Sequence, residues 1–503
     1  MASGPRSLRR WAVALWIFTA TLIGAGWWST VTAPESAAAS VVQSAGDPTQ
    51  AGARVAAARE ALDTPLEQRA ISLLGLGVMV LIAWLLSVNR RAFPTRVVLW
   101  GITLQLIFAL LILRTAPGEE FFSLMNTVFI KIMSYTQDGS RFIFGNLIYN
   151  NIPVGAPVGS PPTMAPIQPG EPAQWANSGS YFAFTVLPTI IFFASLMTVL
   201  YHLKVMQIFV KGMAWVMQRT MQTSGAETLS ASGNIFAGQT EAPLMIKPFV
   251  DRMTMSELHC IMTGGFATVA GSVMAAYVGM LVSYFPDIAG HLLAASVMSA
   301  PAAIVISKVM YPEDGVPETA GTLKADVPSP DVNVIEAATR GASEGLFLAL
   351  NVGAMLLAFV ALIYMADGII GWAGSLFGIE GLQLQQIFGW ALAPLAAVMG
   401  VPWKDATTIG SLLGIKTVLN EFFAYIQLAN MLGEGSDLSP RSIVIATYAL
   451  AGFANFSSIA IQIGGIGGIA PNRKQDLAKI GLRAMIAGTL AAFMTATVAG
   501  ALL

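Results

Sequence analysis

Apolar runs of about twenty residues, nearly free of charge, recur along the whole chain. They lie at 71–88, 97–113, 184–201, 261–285, 291–310, 338–365 and 475–503. A helix of about 20 apolar residues crosses the hydrocarbon core of a bilayer. Inside that core only helices and closed barrels satisfy their own backbone. The composition agrees: 503 residues, 55% hydrophobic and only 11% charged, where soluble domains carry about 25% charge. The chain therefore reads as an all-α polytopic membrane protein, which excludes a soluble enzyme and a disordered polymer. A net charge of -1 offers no basic field for nucleic acid. One cysteine, Cys260, excludes an intramolecular disulfide framework and a cysteine-rich metal site. His202, His259 and His291 lack zinc spacing. All four side chains are assigned to packing or to interfaces.

Charge sets the orientation. Arg6, Arg9 and Arg10 precede an apolar run at 11–28, which fits either a signal peptide or an additional membrane helix. Arg90, Arg91 and Arg96 mark a turn on the inside, and the inside is where basic loops stay. On that count residues 115–182 lie outside, with a helix along the interface at 121–135 and a Pro/Gly-rich loop at 153–172. The amphipathic stretch 205–221, carrying Lys211 and Arg219, is expected on the inner interface. The segment 382–401 is expected to be partly interfacial. Arg473, Lys474 and Lys479 hold the start of the last span inside, so the C-terminus is expected outside.

Two segments break the pattern. Residues 223–250 are apolar but short for two crossings, with Asn234, Gln239, Thr240, Glu241 and Pro243 in the middle. Residues 405–432 are broken by Lys416, Asn420 and Glu421. Each is followed by an interrupted span: one with Gly264, Gly265, Thr268, Gly271 and Ser272, the other with Gly452, Asn455, Ser457 and Ser458. A hairpin that enters the membrane and returns fits each segment, and non-helical backbone at that depth must line a protein cavity. The first hairpin opens inward and the second outward, as in an inverted repeat with a site near the midplane.

A carboxylate at the bilayer centre costs at least about 2.5–3.5 kcal/mol, so Glu241 and Glu421 need a reason. Each could pair with a lysine, Lys247 or Lys416, merely to hold helices together. The amides beside them favour binding instead. Carboxylates accept from hydroxyls, while amides both donate and accept; the mix suits a neutral solute with a diol and a heterocycle. The two carboxylates are expected to face one another across a small chamber. Asn234 and Thr268 add side-chain oxygens that could serve a hard cation or could cap the broken helices. Residues 410–417 have three residues between their glycines where a P-loop needs four. Glycines 464–468 read as close helix packing.

Three stretches carry a family resemblance: Gly233-Asn234-Ile235-Phe236-Ala237-Gly238-Gln239-Thr240-Glu241-Ala242-Pro243-Leu244, Lys416-Thr417-Val418-Leu419-Asn420-Glu421-Phe422-Phe423-Ala424-Tyr425, and Gly452-Phe453-Ala454-Asn455-Phe456-Ser457-Ser458-Ile459. In this order they resemble the concentrative nucleoside transporters, over about residues 71–503. The resemblance implies about eight core spans, two re-entrant hairpins, two broken helices, and a homotrimer in the plasma (inner) membrane that takes up nucleosides with sodium by an elevator-like motion. Some bacterial members resemble this pattern and use protons. It implies that Gln239, Thr240 and Glu241 contact the base with Val273 packed on it. Glu421, Asn455 and Ser458 would hold the ribose, and Phe453 would pack against the substrate. Sodium would sit between Asn234, Thr268 and the carbonyls of Ala237 and Val269. No cofactor other than this coupling ion is implied. The domain plan is then 1–30 signal or extra helix, 31–69 extracytoplasmic linker, 70–220 and 334–400 scaffold, and 221–310 and 401–503 the two transport repeats. An intramembrane enzyme using the two glutamates as acid and base would need a nucleophile–base pair or a metal cluster, and neither is visible in the sequence.

Overall fold

The structure, a computed structural model, describes residues 66–148, 151–154, 157–158, 163–164, 174–177, 182–321 and 331–503. The expected first hydrophobic segment and nearly all of the linker lie outside these residues. Helix α1 (Leu66–Leu85) and α2 (Thr95–Arg114) are followed by α3 (Ala116–Phe144). Two short antiparallel pairs come next, Asn151–Val154 with Gln174–Asn177 and Pro157–Val158 with Thr163–Met164. Then come α4 (Phe182–His202), α5 (Val205–Met221), α6 (Gly225–Gly233), the short α7 (Lys247–Val250), α8 (Met255–Ala267), α9 (Gly271–Leu281) and α10 (Ile288–Met310). The remainder is α11 (Val334–Leu376), α12 (Leu384–Val398), α13 (Trp403–Val418), α14 (Glu421–Gly433), α15 (Pro440–Leu450), α16 (Phe456–Ile469) and α17 (Lys474–Leu502).

Among the described residues, seven helices are long and apolar enough to cross a membrane, or up to eight if the bent pair α12–α13 counts as one span. That pair turns by 118°. The turn is legible locally: Gly400 has φ 99° and Pro402 precedes the new helix. Three expectations change in detail. The interfacial helix foreseen at 121–135 extends to the 29 residues of α3, because its polar residues do not interrupt a backbone that bonds within itself. The loop foreseen at 153–172 contains strand pairing, which proline permits because each strand of a two-stranded ladder is an edge. The span foreseen at 338–365 belongs to a 43-residue helix, α11, capped by the Asn333 side chain accepting from the Glu336 amide.

The last helix is the hub, packing against α1, α2, α8, α10, α15 and α16. Helices α4 and α11 form a second close pair. A Cβ at Gly345 would stand 2.8 Å from the Ile191 Cα. That proximity reflects small residues bringing membrane helices together. The Ser195 hydroxyl adds a bond to the Ala338 carbonyl at 2.8 Å. Helix α9 lies along α4 and touches α3. There its glycines meet methionine tips, Gly271 against Met197 and Gly279 against Met133. At the head of α11, Arg340 forks onto Asp331 at 2.7 and 2.8 Å, which holds the Asp331 carboxyl below the usual carboxylate range.

The entry to the first interrupted segment rests on a buried ion pair. Ser224 and Glu227 form a capping box that starts α6. The other Glu227 oxygen meets Lys308 of α10 at 2.7 Å. Lys308 also donates to Ser256 and to Glu313, which occupies all three ammonium donors. Removing one partner of a buried pair costs about 3–5 kcal/mol. Lys308→Met should therefore lower the thermal midpoint of detergent-solubilised protein markedly. Adding Glu227→Gln to it should recover part of the loss, and a scanning unfolding assay of the single and double variants measures both.

Candidate functional site

The first interrupted segment folds as helix, turn and helix. Every residue of α6 is buried. The chain then turns through residues 234–241, where the Phe236 and Ala237 amides donate to Gly233, and leaves through a 3-10 turn at Ala242–Ile246 and α7. The span that follows is broken at Thr268–Ala270, between α8 and α9. In the second half α13 ends at Val418. Asn420 starts α14 by accepting from the Phe423 amide at 2.8 Å. The span after that breaks between α15 and α16, where Gly452 takes φ 140°. A Cβ there would stand 2.8 Å from the Phe266 carbonyl oxygen, so the second break sits directly on the end of α8.

These breaks bring four of the predicted residues together, Gln239, Glu421, Asn455 and Ser458. Asn455 starts α16 with its Oδ1, which accepts from the Ser458 amide at 2.9 Å and the Ser457 hydroxyl at 2.7 Å. Its Nδ2 donates to Glu421 Oε2 at 3.0 Å. The other Glu421 oxygen accepts from the Tyr277 hydroxyl of α9 at 2.9 Å. Ser458 Oγ accepts from Gln239 Nε2 at 3.2 Å, and Gln239 Oε1 accepts from Gln462 Nε2 at 3.0 Å. One polar chain thus runs from Tyr277 through Glu421, Asn455 and Ser458 to Gln239 and Gln462. It joins both interrupted segments through the start of α16. Val273 is buried in α9, and Phe453 lies half-buried in the break. Thr240 packs on Gly465 of α16.

The two glutamates are not equivalent. Glu421 is only 4% exposed. Glu241 is exposed, and its Oε2 accepts from the Gly238 amide at 3.1 Å. Among the described residues no hydrogen bond or ion pair joins Glu241 to Glu421 directly; an amide and hydroxyl relay connects Glu421 to Gln239, two residues before Glu241. Glu241 instead lies within electrostatic reach of Tyr201, Glu344 and Arg340 on α4 and α11. Neither lysine forms an ion pair with these carboxylates: Lys416 Nζ donates to the Ala449 carbonyl at 2.8 Å and lies within electrostatic reach of Glu421, and no ion pair joins Lys247 to Glu241. Of glycines 464–468, Gly465 and Gly467 pack against side chains, while Gly464 and Gly468 meet nothing within 4 Å.

The oxygen-rich corner is built differently. Asn234, 1% exposed, closes α6, yet neither atom of its amide has a hydrogen-bond partner. Thr268 Oγ1 donates to the Gly264 carbonyl at 2.9 Å, leaving its lone pairs available. The carbonyls of Ala237 and Val269 accept no hydrogen bond among the described residues. A buried amide without partners normally costs about 1–3 kcal/mol, and neutral amide, hydroxyl and carbonyl oxygens are of the kind hard cations take. No group of three His, Cys, Asp or Glu side chains gathers among the described residues.

Two members of the polar chain were not foreseen. Tyr277 could have been marked as the one aromatic ring of the stretch 271–281. Gln462 could have been marked as an amide in the apolar run after Ser458.

Comparisons with known proteins follow the same outline. Three family models match: "Na+ dependent nucleoside transporter N-terminus" at residues 74–147, "Nucleoside recognition" at 183–284, and "Na+ dependent nucleoside transporter C-terminus" at 291–500. An "Uncharacterized transporter" of Haemophilus influenzae is 43% identical, covering 85% of this chain and 96% of its own length. Mouse "Solute carrier family 28 member 3" is 40% identical over 87% of this chain, but the match spans only 59% of that longer protein. A structure of CNTnw in an inward-facing substrate-bound state aligns with TM-score 0.74 at 39% identity, covering 86% of this chain and 97% of that one. A substituted form in an outward-facing state aligns at 0.76. The relatives are transporters and not enzymes, and the matches extend over both interrupted segments: the chain belongs to the Na+-dependent, concentrative nucleoside transporter family of multi-pass membrane proteins.

Proposed function

We propose that this chain carries nucleosides into the cell together with sodium, across the plasma (inner) membrane, by alternating access to a site between the two interrupted segments. The observation that carries the reading is the buried Glu421, held between the Tyr277 hydroxyl and the Asn455 amide and linked through Ser458 to Gln239. A carboxylate and a hydroxyl suit a ribose diol, while an amide suits a heterocycle edge. Glu421, Asn455 and Ser458 take the ribose. Gln239, Thr240 and Glu241 take the base, with Val273 and Phe453 packed on the rings.

Sodium is the second cargo. Asn234 Oδ1, Thr268 Oγ1 and the carbonyls of Ala237 and Val269 would form its shell, and the unpartnered Asn234 amide supports an ion over a cap. The mouse relative named "Sodium/nucleoside cotransporter 1" is 38% identical over 86% of this chain, which favours sodium over protons. Segments 221–310 and 401–503 form the moving repeats, 70–220 and 334–400 the scaffold of a homotrimer, and the C-terminus faces outward. The re-entrant character of both hairpins belongs to the same reading.

Purified protein in liposomes should concentrate labelled uridine when sodium is higher outside, and recovered label should be unchanged uridine. Uptake that follows an acidic exterior and ignores sodium would overturn the coupling. Glu421→Gln should reduce uptake at least a hundredfold while retaining the wild-type thermal midpoint within a few degrees; wild-type uptake would remove the ribose assignment. Asn234→Leu should raise the sodium concentration for half-maximal uptake at least tenfold, read from a sodium titration at fixed uridine.

A further inference from the structure

The amide of Gln462 does work that packing alone does not require. It is 0% exposed, on the second turn of α16. Its Nε2 donates both to the Met262 carbonyl of α8 at 3.1 Å and to Gln239 Oε1 at 3.0 Å. Its own Oε1 is buried without a partner, a burden that leucine or methionine at the same place would not carry. Room for the two stacked amides comes from α8: a Cβ at Gly265 would stand 2.8 Å from Gln462 Nε2 and 2.9 Å from Gln239 Cβ.

The ladder has a fixed direction. A backbone carbonyl only accepts, so Met262 compels Gln462 to turn its NH2 towards it. That same NH2 then compels Gln239 to turn its oxygen inward. Gln239 is left with its NH2 facing the site: one N–H goes to Ser458, and the other remains for a ligand, since an amide nitrogen carries two. An amide without such a neighbour can rotate by half a turn and offer its carbonyl at little cost.

We propose that Gln462 is a positioning residue for base selection: it locks Gln239 as a hydrogen-bond donor, so that the base atom meeting Gln239 must be an acceptor. This rests on Gln239 contacting the base, as argued above. Released from Gln462, Gln239 presents either face, and discrimination against bases lacking that acceptor collapses. Gln462 itself touches no substrate.

The test uses full-length protein in liposomes under a sodium gradient, with labelled uridine uptake competed by uridine, cytidine, 2-thiouridine, 4-thiouridine and 3-deazauridine. These analogues alter the donor or acceptor groups around the pyrimidine edge. Wild type should disfavour at least one analogue by about five- to tenfold, the range of one well-made hydrogen bond. Gln462→Met, similar in length and unable to hydrogen-bond, should narrow that preference to within about twofold, raising the uridine KM while Vmax stays within about twofold. Gln462→Leu is the second variant should the first be poorly folded. Weakening of all competitors by the same factor, or an unchanged preference in both variants, overturns the proposal, as does a wild type that discriminates among none of them. Gln239→Ala separates the two readings: if it transports uridine like wild type, the base assignment itself fails; if it loses uptake while the Gln462 variants keep wild-type selectivity, only the positioning role fails.

Discussion

Backbone that leaves the helical path inside a bilayer must find its hydrogen bonds within the protein, and the arrangement of this site follows from that demand. The chain breaks at Thr268–Ala270 and again between α15 and α16. The second break lies on the end of α8 through Gly452. Asn455 then closes the account at the start of α16, since one side chain both caps the helix and reaches Glu421. A capping side chain contributes about 1 kcal/mol to its helix. Here Oδ1 of the amide caps the helix while Nδ2 of the same amide orients a carboxylate, so the two roles are not separable at this residue.

A helix terminus also helps Glu421, which makes no direct ion pair with a lysine. It occupies the first turn of α14, where the amide dipoles favour negative charge. Tyr277 and Asn455 add two donors. Lys416 donates to the Ala449 carbonyl and acts on Glu421 through space. The basic partner appears elsewhere, at Lys308, where a fully engaged ammonium ties the base of the first interrupted segment to α10. One of these buried carboxylates is thus held by an ammonium, the other by a hydroxyl and an amide.

Much of this was legible before any coordinates. The amphipathic stretch 205–221 coincides with α5, whose apolar stripe is buried while Lys211 and Arg219 lie on the exposed face. The two interrupted segments and the family resemblance located Asn234, Gln239, Glu421, Asn455 and Ser458, and the polar chain unites four of them. Periodicity does not say which side chains meet across the fold. Hence the inequality of Glu241 and Glu421, the pairing of Glu227 with Lys308 across 81 positions of sequence, and the reach of Gln462 back to Gln239 were not foreseen. Pairings set by tertiary approach leave no local signature. Glycines allow that approach, and Gly265 is recognisable as a spacer only once its neighbours are known.

Where helix α9 faces α3 and α4, two of its glycines meet methionine tips, Met133 and Met197. An unbranched thioether with three rotatable bonds conforms to a changing surface at little energetic penalty, whereas branched side chains would interlock like teeth. Such a seam would resist a sliding displacement less than interlocked branched side chains, because no ridge would have to jump a groove. Its weakness is chemical: oxidation of either sulfur to the sulfoxide would place a rigid dipole in the seam, stiffening the very surface whose compliance it supplies.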